Sequence, residues 1–125
     1  FLPVVAPTAL WWKDGLPKGQ LLNVNADSVA GAISVAFPAR HLIFLTDVPG
    51  IQDKDGKAVE RLSEEDALAL IKSGVITEGM IPKVEACVKA VKSGVRKTHV
   101  IDGRIPHAML LEFLTREGIG TQIVQ

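Results

Sequence analysis

The stretch HLIFLT, residues His41–Thr46, limits the possible folds of this 125-residue chain more than any other segment. It is a continuous apolar run between Pro38 and the turn-rich segment DVPGIQDKDGK, residues Asp47–Lys57. An uninterrupted run of this length predicts a strand covered on both faces, as the strands of parallel sheets are. A strand of that kind needs other strands beside it and helices above and below it.

The rest of the chain supplies both kinds of partner in alternation. Helices are predicted where apolar residues recur at helical spacing, and strands where short apolar runs lie between turns. The predicted strands are Leu2–Val5, His41–Thr46, Thr98–Ile101 and Thr121–Val124, and the predicted helices are Asp27–Phe37, Ser63–Lys72, Pro82–Ser93 and Pro106–Thr115. This alternation predicts an α/β fold with a largely parallel sheet and helices on both faces.

Local signals define the ends of these helices. The first helix has apolar residues on every side, so we expect it to be buried all round and to end at Pro38. Ser63 and Asp66 form a capping-box-like pair, and Gly74 stands at the corresponding stop. Gly118 is expected to break the last helix.

Composition restricts the kinds of partner. A chain of 125 residues predicts one domain, residues 1–125. Fourteen basic residues balance 14 acidic ones, which argues against nucleic acid and anionic membranes as partners. The apolar runs are shorter than the ~20 residues that span a bilayer, and the single cysteine, Cys87, leaves no internal disulfide. We therefore expect a soluble, cytoplasmic protein, and the start FLPVVAP indicates a piece of a longer polypeptide or a trimmed leader.

Common phosphate and metal motifs fail on inspection. Gly74 and Gly79 have the spacing of a P-loop, but Met80 and Ile81 stand where that loop needs Lys and Ser or Thr. Gly118-Ile-Gly120 leads into a strand, so it is no dinucleotide fingerprint. The three histidines have no paired cysteines, and we predict no dedicated metal site.

Two placements of polar residues are unusual. Asn23, Asn25 and Asp27 crowd the start of the first helix, although one cap needs only one such residue. Lys83 lies in the first turn of its helix, where an acid would be favoured by about 0.3–1 kcal/mol. A solvated lysine tolerates that cost, whereas a cation beside a helix start also suits an anion site. Both interpretations stay open on this evidence.

Trp11 and Trp12 are adjacent and lie between turn signals at Lys13-Asp14-Gly15 and Pro17-Lys18-Gly19. They are either an exposed loop feature or an anchor for packing or for an interface. The anchor is favoured, because two adjacent tryptophans rarely both stay in water.

Several motifs together carry a family resemblance that spans the chain in order. NVNAD, LTDVPGI, GVITEGMIPKVEA, HVIDGR and EGIGTQIV resemble the carboxyl-terminal half of the acetylglutamate kinases, within the amino acid kinase family. The segment LWWKDGLPKGQ departs from that pattern, because it is bulkier than the short hairpin expected before NVNAD. The resemblance implies transfer of the γ-phosphoryl group of ATP to the side-chain carboxylate of N-acetyl-L-glutamate, in arginine biosynthesis.

The resemblance also implies roles for individual residues. Lys83 would stabilise the transition state, Asp27 would orient the catalytic groups, and Asn23 would hold the acyl-amino acid. ATP would be surrounded by Asp47, Val48, Pro49, Gly50, Ile51 and Gln52, and by Val75, Ile76 and Thr77. Mg²⁺ would be held mainly through the phosphates of ATP. A glycine-rich loop and a second lysine would come from the other half of the enzyme, so we expect this chain alone to be inactive.

Regulation by arginine is a further implication. His99, Glu112 and Gly118 fall on the positions of an arginine effector site, although His99 could equally be a satisfied strand residue and Glu112 a surface charge. The parent enzyme would be a dimer or a hexamer and could bind the PII protein. Two other functions stay open: a kinase for N-acetyl-aminoadipate or another amino acid, and a non-catalytic module that senses arginine or a nucleotide.

Overall fold

A computed structural model describes residues 1–37, 39–115 and 118–125. The helices are α1 (Ala26–Ala36), α2 (Glu64–Lys72), α3 (Ile81–Lys92) and α4 (Ala108–Leu114). The strands are β1 (Thr8–Lys13), β2 (Leu16–Asn23), β3 (His41–Thr46), β4 (Arg61–Ser63), β5 (Lys97–Asp102) and β6 (Gly120–Val124). No helix of the described residues combines the length and the apolar composition that crossing a bilayer requires.

Four strands form the main sheet, in the order β3-β5-β6-β4. The pairs β3–β5 and β4–β6 are parallel, and only β5–β6 is antiparallel. Side chains alternate along β5: Val100 joins the core cluster that contains Val84 and Val88 of α3, whereas His99 bonds to Glu112 of α4. Helices therefore cover both faces of a largely parallel sheet, and the predicted α/β class is confirmed.

The capping signals act as predicted. The Ser63 side chain accepts a hydrogen bond from the Asp66 backbone N–H at 3.0 Å and starts α2. Gly74 follows that helix with a φ of +73°, a conformation that side chains disfavour. The three-residue strand β4 was not predicted, because it is too short to show alternation and runs directly into the cap.

The amino-terminal predictions are wrong. Leu2–Val5 is exposed and forms no strand, since no described strand pairs with it. The strand lies after Pro7 instead, as β1 of an antiparallel hairpin with β2. Asp14 and Gly15 both have positive φ, at 54° and 74°, so they form the hairpin turn, whereas Pro17-Lys18-Gly19 lies inside β2.

Exposure corrects two further expectations. Helix α1 is not buried all round: only Ser34 is buried, and Ile33 and Val35 are exposed. Leu42 and Phe44 of β3 are buried, but Leu45 is 54% exposed, so the covering on both faces that we predicted for this strand is also wrong. A local sequence pattern shows that a segment is apolar, but it does not show which faces of that segment pack against other elements.

The tryptophan pair and the ends of two helices were also predicted. Trp11 and Trp12 are 41% and 59% exposed, so they are not packing anchors against the described residues, and an interface role stays a prediction. Pro38, the expected stop of the first helix, lies outside the described residues. The last helix ends at Leu114, before the predicted stop at Gly118.

Candidate functional site

The starts of two helices meet through an ion pair. Lys83 Nζ lies 3.0 Å from Asp27 Oδ2, although the two residues are 56 positions apart. Their side chains are 24% and 17% exposed, so the interpretation of Lys83 as a free, solvated lysine does not hold. The Asp27 carboxylate suits the positive end of α1 and offsets the unfavourable position of Lys83 at the start of α3. The pair places a fixed ammonium group beside two helix N-termini.

The three polar residues before and within α1 have different positions. Asn25 is the N-cap, because its side-chain oxygen accepts a hydrogen bond from the Ser28 backbone N–H at 3.0 Å. Asn23 ends β2, is exposed, and makes no side-chain hydrogen bond with the described residues. Asp27 alone of the three contacts Lys83. Capping therefore explains Asn25, and the ion pair with Lys83 accounts for the position of Asp27.

Two adjoining hollows bring most of the predicted nucleotide residues together. The first is lined by the loop after β3 and the loop before α3: Val48, Gly50, Ile51, Gln52, Val75, Ile76, Thr77 and Met80. The second is lined by Thr46, Asp47, Val48, Thr77, Gly79, Met80 and Lys83. The two hollows share three lining residues, Val48, Thr77 and Met80, and are together called the groove below; Lys83 lines its second hollow. Pro49 is the predicted member that lines neither of them.

Local bonding explains the path of the loop after β3. The Thr46 hydroxyl accepts a hydrogen bond from the Val48 N–H at 3.1 Å and donates one to the Val48 carbonyl at 2.9 Å. The loop thus turns directly at the carboxyl end of the strand. Because β3 and β5 are parallel, Asp102 of β5 ends at the same edge as Thr46, with which it is in register. In open α/β sheets this edge is where ligands bind.

Several residues at this edge were not predicted. Gly79 and Met80 line the groove, and the only sequence signal was their position within the quoted run VITEGM. Arg104 donates two side-chain hydrogen bonds to Asp102, at 2.9 and 2.8 Å. These bonds hold the pKa of Asp102 below its usual range. An acid and an arginine two positions apart in the sequence gave no sign of this pairing at the sheet edge.

The predicted effector residues also meet, on the other face of the sheet. His99 Nδ1 lies 2.7 Å from Glu112 Oε1, and the two side chains are 3% and 1% exposed. A Cβ at Gly118 would lie 3.1 Å from Glu112 Oε2, so that residue closes over the carboxylate. The interpretation of Glu112 as a surface charge is therefore wrong, whereas His99 is a satisfied strand residue.

Both oxygens of Glu112 are hydrogen-bonded. The Ile119 backbone N–H donates to Oε2 at 2.9 Å, and Gln122 Nε2 donates to Oε1 at 3.3 Å. Burial raises the pKa of Glu112, but the hydrogen bonds from Ile119 and His99 outweigh it and leave the pKa lowered. His41 Nδ1 lies 3.1 Å from the second ring nitrogen of His99, Nε2. The pair is thus part of a closed polar network beneath α4.

The sequence pattern of the amino acid kinase family matches residues 1–102, and the chain belongs to that family. The acetylglutamate kinase of a Nitratiruptor species is 49% identical over 124 residues, which are 99% of this chain and 43% of that protein. The acetylglutamate kinase of Leptospira biflexa serovar Patoc is 50% identical over 125 residues, 100% of this chain and 41% of that protein. The chain thus spans about two-fifths of the length of the relatives it matches.

Solved structures agree on the fold. The N-acetylglutamate synthase of Neisseria gonorrhoeae, complexed with coenzyme A and L-arginine, aligns with a TM-score of 0.80 and 29% identity over 85% of this chain and 24% of that one. The carbamate kinase of Giardia lamblia bound to AMP-PNP aligns with a TM-score of 0.75 over 92% of this chain and 36% of that one. At 20% identity, that second likeness shows the fold alone.

Proposed function

We propose that this chain is the ATP-binding, carboxyl-terminal half of a cytoplasmic acetylglutamate kinase. That enzyme transfers the γ-phosphoryl group of ATP to the side-chain carboxylate of N-acetyl-L-glutamate, an early reaction of arginine biosynthesis. The observation that carries the proposal is the Lys83–Asp27 ion pair at 3.0 Å, whose lysine lines the groove formed by the predicted nucleotide residues. Relatives near 50% identity that are named acetylglutamate kinases support it.

Each residue has a role that follows from its position. Phosphoryl transfer requires little covalent work from a protein, so positioning and charge stabilisation do most of the catalysis. The Lys83 ammonium group stabilises negative charge on the moving phosphoryl group, and Asp27 fixes its direction. An ammonium held at 24% exposure stabilises charge more strongly than one in bulk water. Asn23 contacts the acyl-amino acid from the exposed end of β2.

The nucleotide lies along the groove in this proposal. The apolar side chains of Val48 and Val75, which are partly exposed, suit the adenine ring, and the ribose and phosphates extend toward Lys83. Among the described residues, no three acidic, histidine or cysteine side chains lie close enough to hold a metal ion. When bound, Mg²⁺ neutralises phosphate charge, and Asp47 is the carboxylate of this chain that the groove presents to it.

Turnover needs residues beyond this chain. By resemblance, a glycine-rich loop, a second lysine and a substrate-binding arginine belong to the other half of the enzyme. A coupled ADP-release assay tests the proposal on the chain alone and on a full-length polypeptide that contains it. We expect turnover only in the longer protein and only with N-acetyl-L-glutamate. Turnover by the chain alone would refute the half-site assignment, and a preference for N-acetyl-aminoadipate would refute the substrate.

Arginine is a second ligand of the proposed parent enzyme, with His99, Glu112 and Gly118 as its site. The convergence of these three residues supports this assignment, and so does a related fold in a synthase complexed with L-arginine. The arginine guanidinium would take the place of His99 or Gln122 on the Glu112 carboxylate. The proposed oligomer, a dimer or hexamer that could bind PII, rests on resemblance alone. A sensor without chemistry would bind arginine and no ATP analogue in calorimetry.

A further inference from the structure

Thr121 ties the candidate nucleotide loop to the central sheet. It lies on β6 and is fully buried, with 0% of its surface exposed. Its hydroxyl accepts a hydrogen bond from the Ile51 backbone N–H at 2.8 Å and donates one to the Val59 carbonyl at 2.6 Å. Ile51 and Val59 belong to opposite arms of the loop that connects β3 to β4. One hydroxyl group therefore bridges the two arms.

The bridge completes a backbone pairing. The Val59 N–H donates to the Ile51 carbonyl at 2.9 Å, and the neighbouring residues Gln52 and Ala58 form an antiparallel bridge. In a hydrogen-bonded antiparallel pair, two residues normally exchange both of their N–H···O bonds. Here the second bond runs through the Thr121 hydroxyl, which stands between the Ile51 N–H and the Val59 carbonyl. The hydroxyl thus sets the spacing between the two arms of the loop.

Gly50 brings the loop directly onto the same residue. A Cβ at Gly50 would lie 2.7 Å from Thr121 Oγ1 and 3.2 Å from the Thr121 nitrogen, and the Gly50 φ is +150°. Only glycine fits that approach without displacing the strand. Gly50, Ile51 and Gln52 form one wall of the candidate nucleotide groove. The position of that wall is therefore fixed by a residue that lies outside the groove.

We infer that Thr121 is a positioning residue for nucleotide binding, an inference that rests on the proposed function. Its hydroxyl holds the Gly50–Gln52 wall at the distance from Val75–Thr77 that an adenine nucleotide requires. Thr121 lines neither hollow of the groove, so its effect passes through the backbone of the loop. It also gives the segment Gly118–Thr121 a role that differs from the dinucleotide fingerprint it superficially resembles.

Three variants of the full chain test this inference. Thr121→Val keeps the shape and removes the hydroxyl, whereas Thr121→Ser keeps the hydroxyl. Thr98→Val is the matched control, because Thr98 is equally buried and its hydroxyl faces the Ile123 carbonyl at 3.5 Å instead of the loop. The measurements are calorimetric affinity for a non-hydrolysable ATP analogue, thermal unfolding, and amide hydrogen exchange at Ile51.

We expect Thr121→Val to weaken binding by at least about tenfold, which corresponds to about 1.4 kcal/mol, and to speed exchange at Ile51. Thr121→Ser should bind within about threefold of wild type, a difference of under 1 kcal/mol. Thr98→Val should lower the unfolding temperature without weakening binding. Equal affinities of Thr121→Val and Thr98→Val would overturn the inference and leave the proposed function intact. No binding by wild type would overturn the proposed function itself, and the role of Thr121 in nucleotide binding with it.

Discussion

Replacing Glu112 by glutamine tests the buried network beneath α4 with a change of almost no volume. The carboxylate is 1% exposed and accepts hydrogen bonds at both oxygens, from His99 and Gln122 on Oε1 and from Ile119 on Oε2. A glutamine side chain offers one acceptor oxygen and one N–H₂ donor. An amide nitrogen at the Oε2 position faces the Ile119 N–H, which can only donate, and an amide nitrogen at the Oε1 position faces Gln122 Nε2 and keeps a bond to His99 only if Nδ1 becomes an acceptor.

The expected loss follows from those contacts. One buried N–H without a partner costs about 1–3 kcal/mol, and a neutral acceptor in place of the carboxylate weakens the remaining bonds by about 1 kcal/mol. We therefore expect the free energy of unfolding to fall by about 2–4 kcal/mol, the sum of these two losses. In a domain of this size, such a loss lowers the unfolding temperature by roughly 10 °C.

Urea unfolding at neutral pH measures this loss as a shift of the midpoint at constant slope. Glu85→Gln is the matched control, because Glu85 is exposed on α3, and it should stay within about 0.5 kcal/mol of wild type. The lowered pKa of Glu112 means that its stabilisation is present above its ordinary pKa and is lost as the pH falls through its folded pKa. The difference between wild type and Glu112→Gln should therefore shrink on acidification. Equal stability at neutral pH would refute the network.

Three other predictions concern separate parts of the chain. Burial, and then the charges of His99 and three basic neighbours, lower the pKa of His41. The neutral imidazole therefore contributes to folding stability above its ordinary pKa of 6.5, and this contribution is lost as the pH falls through the folded pKa. Urea midpoints should therefore fall less between pH 7 and about pH 5 in His41→Asn than in wild type; parallel profiles would contradict this. Gly120→Ala should destabilise by about 3 kcal/mol or more, because a Cβ there would meet the Val100 carbonyl and lie 2.6 Å from Ile101 Cγ2. The control Gly79→Ala, with open space, should unfold near the wild-type temperature. Burial raises the pKa of Cys87 to about 12, so a thiol reagent should label it only after unfolding, and labelling of the native chain would show that the helix core opens.

Sequence signals predicted the elements whose ends carry local chemistry. The pair Ser63 and Asp66 marks the start of α2, and the run His41–Thr46 coincides with β3. Signals of that kind act within a few residues and need no knowledge of the fold. These signals failed where the structure of a segment depends on pairing with residues that are distant in the sequence. Leu2–Val5 has strand composition and no described partner strand, and β1 resembles a loop in sequence because Trp11 and Trp12 lie beside turn residues.

The candidate site likewise contains residues that local sequence signals could identify and contacts that they could not. The unusual position of a lysine at a helix start singled out Lys83, but its distance from Asp27 depends on how α1 packs on α3, with Gly31 against Ala86. No local pattern encodes that contact. Thr121 was missed altogether, because a threonine in a strand looks the same whether its hydroxyl binds its own strand or a loop 70 residues away. Such contacts are properties of the tertiary structure.

The most direct test of the nucleotide groove is a calorimetric titration with a non-hydrolysable ATP analogue. It compares wild type with Lys83→Ala and with Lys89→Ala, an exposed lysine on the same helix. A charged hydrogen bond to phosphate contributes about 1.5–3 kcal/mol, so Lys83→Ala should weaken binding by about 10- to 150-fold. Lys89→Ala should bind as wild type does. Equal affinities of wild type and Lys83→Ala would contradict the assignment of this groove to ATP phosphates.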